Sequence, residues 1–188
     1  MVLFLVVFVA IGYSGYKNHL FKILVSPTPT PTADPTAEWM IYNNLEYNFL
    51  FKYPAGFEGE GRYISGPTTG TVVGLRLFAD PKTIQMGTNA HFNGFSVYIV
   101  TKLGISNFDK YINKEIKAMN VAKFTGMRNP TKIQLTNGVA LVSKDEGQAY
   151  YYLPNSDRSK VVVFAYLQAD PSFKQTFDQV LSTFKFTQ

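Results

Sequence analysis

The chain has 188 residues, 46% hydrophobic and 16% charged, enough for one domain built on one substantial core. It contains no cysteine, which excludes disulfides, thiolate zinc sites, cysteine nucleophiles and the lipid-modified cysteine that anchors many bacterial surface proteins. Its net charge of +5 points toward anionic partners such as lipid headgroups or wall polymers, with nucleic acid set aside because no binding motif is present.

Residues 2–16 form a mostly apolar run, weakened at Gly12, Ser14 and Gly15, and Lys17 is the first charge. The apolar pattern resumes through Leu20, Phe21, Ile23, Leu24 and Val25. A bilayer-spanning helix needs about 20 such residues, and Lys17 can snorkel to the headgroups. A cleaved signal peptide would need a basic start, which Met1-Val2 does not supply, and the small-x-small sites ending at Gly12 and Ser14 come early. The expectation is an uncleaved, single-pass anchor over residues 1–25. Lys17 and Lys22 would hold the following side in the cytoplasm. The proline stalk pulls the other way, and an extracytoplasmic domain at the cell membrane is the reading adopted.

Residues 26–36 carry four prolines and four threonines. Proline fixes φ and removes a donor, so this run should be polyproline II at about 3.1 Å per residue, on the order of 30 Å of semi-rigid spacer. The organisation read is an anchor over 1–25, a Pro/Thr-rich linker over 26–38 and a globular domain over 39–188.

The domain reads as strands with two helices. Tyr47, Phe49, Phe51 and Tyr53 alternate, which predicts four rings on one face of a strand closed by Pro54. Residues 71–79 and 94–102 are further β-branched and aromatic runs. Residues 132–136 should meet 139–142 across Asn137-Gly138, a pair that tolerates positive φ. A second hairpin is predicted from 148–153 to 160–167. One helix should start at Ser106 and bury Phe108, Ile112, Ile116 and Met119. Another should use Asp170 as N-cap and Pro171 at its first position, burying Phe173, Phe177, Val180, Leu181 and Phe184. Strands with two amphipathic helices predict an α+β fold in layers.

The residues Trp39, Tyr42, Asn44, Tyr47, Phe49, Phe51, Tyr53 and Pro54, in that spacing, resemble the opening of membrane-anchored bacterial domains with a PsbP-like fold. Residues 177–186, ending Ser182-Thr183-Phe184-Lys185-Phe186, are similar to their close. The resemblance implies a central antiparallel sheet flanked by helices, an α/β/α sandwich, in a non-enzymatic module. It supplies no catalytic motif, and the photosystem II partner of PsbP itself is not carried over. Because the matching residues are aromatic core positions, they speak for fold more than for function.

Chemistry is sparse. His91 is the domain's one histidine, in a polar stretch, and neither a Gly-x-Ser-x-Gly elbow nor a phosphate loop accompanies it. Glu58 with Glu60 and Asp145 with Glu146 are close acidic pairs of the kind found in solvated turns, calcium loops or glycosidase clefts. No catalytic residue, metal or cofactor is assigned. Lys110, Lys114 and Lys117 line one side of the first helix, with Lys123, Arg128 and Lys132 following, and this patch is a candidate anion-binding surface. Tyr151 alternates with Tyr150 and Tyr152. With one strand face in the core, the opposite ring is a candidate contact for a sugar or peptide. The expected function is a membrane-anchored binding or accessory domain docking on an envelope protein. The alternatives are an envelope hydrolase using carboxylates with His91, and a basic domain adhering to anionic envelope polymers.

Overall fold

The computed structural model describes residues 34–57, 71–84, 93–101, 108–121, 127–144, 147–167 and 171–187. Beyond Asp34 these all belong to one compact unit, Pro35–Gln188. The expected anchor, most of the linker and the helix caps Ser106 and Asp170 lie outside the described residues. Within them, no helix is long and apolar enough to cross a membrane.

The elements in order are β1 (Met40–Asn44), β2 (Phe49–Tyr53), β3 (Thr71–Ala79), a short 3-10 turn (Pro81–Thr83), β4 (Gly94–Thr101), α1 (Phe108–Val121), β5 (Thr131–Leu135), β6 (Gly138–Val142), β7 (Gln148–Pro154), β8 (Val161–Leu167), α2 (Phe173–Thr183) and β9 (Lys185–Phe186). Six strands form an antiparallel sheet ordered β3-β4-β8-β7-β6-β5, and a second sheet is ordered β1-β2-β9. The fold is α+β.

Alternation along the large sheet sends side chains to two separate cores. Phe95, Val97 and Ile99 of β4, with Tyr151, Phe164 and Tyr166, pack on one side against α2 and the small sheet. Tyr98, Val100, Tyr150, Tyr152 and Val163 pack on the other against Phe108, Tyr111, Ile112 and Met119 of α1. Helices thus cover both faces, as the sandwich reading implies. One face also carries the small sheet, because the aromatic side of β2 needs a surface of matching rings. Phe51 finds it, with Phe78, Phe95 and Phe164 at 5.2, 6.0 and 5.2 Å.

Four local expectations are corrected. Tyr47 belongs to the β1–β2 turn and not to the strand: Asn48 adopts φ 58° and Asn44 Oδ1 accepts the Tyr47 N–H at 3.0 Å. The alternating rings therefore begin at Phe49. The β5–β6 connection is Thr136-Asn137, one residue before the Asn-Gly pair, since Leu135 pairs with Gly138. Among described non-glycine residues only Asn48, Asn129 and Arg158 have positive φ, so this turn lacks mirror-image geometry. Helix α2 begins at Phe173, and Ser172 is its N-cap without a side-chain hydrogen bond. A turn closed from Lys174 N–H to Pro171 O at 3.2 Å precedes it and leaves Pro171 outside the helix. Finally, folded structure starts ahead of Trp39. Thr36 is buried, and its carbonyl and hydroxyl oxygens accept from Lys52 Nζ at 3.2 and 3.1 Å.

Two glycines are dictated by space. Gly74, at φ 63°, occupies the irregularity in β3 between Val73 and Arg76. That extra residue lets both Val73 and Phe78 face the same core. Gly138 packs against the strand beside it, where an added Cβ would strike the Tyr152 carbonyl oxygen. Replacing it, Gly138→Ala, should cost about 1–3 kcal/mol as backbone is forced apart. The expected reading is a lower urea midpoint at unchanged m; an unmoved midpoint would mean that β6 yields without strain.

Candidate functional site

Helix α2 lies over the middle of the large sheet, with Phe177 set against Phe95, Tyr151 and Tyr166 at 5.6, 5.3 and 4.6 Å. It stops short of the β5 edge. The uncovered strip is a groove of about 590 Å³. Ala140, Tyr151 and Leu153 line it along the sheet, Ile133 and Leu135 along the edge strand, and Leu181 and Phe184 along the helix side. Period-2 alternation explains the lining. Ile133 pairs with Ala140 and Leu135 with Gly138, so these side chains share the α2 face while Lys132 and Gln134 point to the other. Ile133 is 44% exposed, unusual for isoleucine on an edge strand, where charge or proline commonly blunts pairing.

A second, polar depression of about 600 Å³ adjoins the first around the tip of the β5–β6 hairpin. The two share Thr136, Asn137, Leu153 and Phe184, forming one trough that turns from apolar to polar. The polar half includes Asp109, Gln134, Asn155, Arg158 and Lys185. Gln134 Nε2 donates to the Gly138 carbonyl at 2.9 Å and stiffens the hairpin tip. Arg158 projects from the β7–β8 loop at φ 58°, with its guanidinium 5.9 Å from the Phe108 ring. That loop is fastened by Asn155 Oδ1 accepting the Lys160 N–H at 3.0 Å and Asp157 Oδ1 accepting the Ser159 N–H at 2.8 Å. Hydrogen bonds from the Ser159 hydroxyl and backbone hold the Asp157 carboxyl below its ordinary pKa. Asp109 meets Lys132 at 3.7 Å, both well exposed, so that pair adds little energy.

Tyr151 is 9% exposed, not the bare ring that alternation suggested. Helix α2 covers its face of the sheet as α1 covers that of Tyr150 and Tyr152. Its remaining surface lines the apolar groove. Lys110, Lys114 and Lys117 are all exposed on α1, on the opposite side of the large sheet from Tyr151, so the structure does not bring them together. Arg128 and Lys132 are exposed as well. His91, Glu58, Glu60, Asp145, Glu146 and Lys123 lie outside the described residues. Among the described residues no three His, Asp or Glu side chains gather as metal ligands.

A buried polar cluster beneath α1 was missed. Glu115 is fully buried and accepts the Tyr152 hydroxyl at 3.4 Å. Burial, then the Glu115 charge, pushes the Tyr150 pKa up to about 12. Tyr98 and Tyr152 are raised well above their ordinary value, burial again being the largest cause. The sequence did hold a signal, since Glu115 falls at i+3 from Ile112 and i+4 from Tyr111, inside the apolar stripe.

No family model and no curated protein matches this chain. It is similar to the solution structure of cyanobacterial PsbP (CyanoP) from Synechocystis sp. PCC 6803, with a TM-score of 0.48 and 17% identity, over 85% of this chain and 99% of that one. It is also similar to the crystal structure of the Saccharomyces cerevisiae Ran-binding protein Mog1p, with a TM-score of 0.44 and 9% identity, over 79% and 95% of the two chains.

Proposed function

We propose that this chain is a membrane-anchored, extracytoplasmic accessory domain of PsbP-like fold, without catalytic activity, that docks on an envelope protein through the trough at the β5 edge. The observation that carries the reading is an apolar groove beside a strand that, among the described residues, pairs on one side alone. An extended segment of the partner can add to β5 by main-chain hydrogen bonds. Its alternate side chains then lie beside Ile133 and Leu135 at the mouth of the groove, the usual division of affinity and specificity in strand addition. The anchor and the outward orientation rest on the sequence order of apolar run, proline stalk and domain. Adhesion to an anionic polymer through Lys110, Lys114 and Lys117 is the competing contact, favoured by the exposure of all three.

The two contacts separate in one experiment. A photoreactive residue at Ile133 should capture a single envelope protein in intact cells, and one at Lys114 should not. Capture at Lys114 with none at Ile133 would move the contact to α1, and capture at neither would end the protein-docking reading.

A further inference from the structure

The edge of the small sheet presents an apolar rim that the trough does not use. Ile41 is 61% exposed on the strand face turned away from the large sheet, and Leu45, 79% exposed, follows in the β1–β2 turn, while Met40, 52% exposed, lies on the opposite face beside Tyr53. Scattered exposed hydrophobics are ordinary, but an edge strand that keeps several is a surface meant for contact. Among the described residues β1 pairs only with β2. Ile41 stands opposite Lys52 and Asn43 opposite Leu50, which in turn pairs with Lys185. Glu38 and Glu46 flank the strand, while Arg76 over the Tyr42 ring and Lys160 over the Tyr47 ring join the two lysines, so the surroundings of the patch carry a modest positive excess.

Where the chain enters the domain decides what this rim meets. Lys52, opposite Ile41, is the residue that grips Thr36, so the stalk joins the domain beside the apolar rim. From Val25, the last apolar residue of the expected anchor, to Pro35, where the turn over residues 35–38 begins, the chain can reach about 30 Å when extended as polyproline II. A tether that short keeps the rim at high local concentration near the bilayer.

The geometry points to a second contact, resting on the membrane-anchor reading: Ile41 and Leu45 seat the domain on the bilayer that holds its own anchor. The occupant is a lipid surface, recognised by apolar side chains entering the headgroup boundary. Because apolar burial drives the contact, it forms on zwitterionic lipid.

Trp39 is the only tryptophan in the chain, is half-buried and precedes Met40, so it reports directly. The full chain is reconstituted into phosphatidylcholine vesicles, floated, and its fluorescence compared in lipids with and without bromine on the upper acyl chain. The chain should float, and brominated lipid should lower Trp39 emission roughly twofold if the rim sits at the headgroup boundary. The Ile41→Glu, Leu45→Glu double variant should still float, keep its far-UV spectrum and lose the quenching. A floating chain with unquenched Trp39, or a double variant that remains quenched, overturns the seating alone. A chain that fails to float removes the anchor and the seating together.

Discussion

Phe51→Ala should remove about 3–5 kcal/mol of stability, the range for deleting a fully buried phenyl ring. Phe51 belongs to the small sheet, yet it is buried against rings of the large one. Phe78, Phe95 and Phe164 lie within 5.2 to 6.0 Å, while Tyr42 and Tyr53 of its own sheet lie at 5.1 and 6.3 Å. Edge-on and tilted pairs of this kind add to simple area burial. A domain of ordinary stability holds roughly 5–15 kcal/mol in total, so the loss would bring it near unfolding. Urea denaturation followed by far-UV circular dichroism measures it directly. A loss below about 1 kcal/mol, with the spectrum intact, would mean that the small sheet is not fastened to the large one through this ring.

Alkaline pH should unfold the domain steeply. Tyr98, Tyr150 and Tyr152 sit beneath α1 with Glu115 and have raised pKa values, that of Tyr150 to about 12. In the unfolded chain each phenol releases its proton near pH 10. Between those limits the folded state binds more protons than the unfolded one, so stability falls as pH rises, by up to about 1.4 kcal/mol per pH unit for each tyrosine. The three together can approach about 4 kcal/mol per unit near pH 11. Below pH 10 the contribution is complete and constant. Tyrosinate absorbance and circular dichroism recorded together test this. The late-ionising fraction of the twelve tyrosines should appear only as the far-UV signal collapses. Ionisation of all twelve near pH 10 with structure retained would refute the buried cluster.

Strands were legible wherever one residue in two had to be apolar. The runs that became β4, β7 and β8 are buried on both sides, and their β-branched and aromatic content gave them away without alternation. The helices were legible from stripes such as Phe173, Phe177 and Val180, all buried. Tyr151 shows the limit. Alternation rightly opposed it to Tyr150 and Tyr152 but carried no information on whether the second face was covered, and α2 covers it. The hairpin tip slipped by one residue because Gly138 serves close packing against Tyr152 and not positive φ. The trough was invisible for a related reason. It exists because α2 crosses the sheet without reaching β5, a relation between elements far apart in sequence. Arg158, which borders it, carries no local pattern that would mark it, and Asn137 is marked as a turn residue alone.

The small sheet also sets the order in which the domain is completed. Strand β2 pairs with β9 through Phe49–Phe186 and Leu50–Lys185, and the Thr187 N–H closes the join on the Asn48 carbonyl at 2.9 Å. By contrast β5, β6, β7 and β8 are sequence neighbours lying side by side, able to pair as they emerge from the ribosome. The β1–β2 hairpin comes out first, but Phe49 and Phe51 must wait for β8, α2 and the closing strand before water is excluded from them. Synthesis therefore leaves the most aromatic strand of the domain waiting for β9, the last strand of the domain, to seal it.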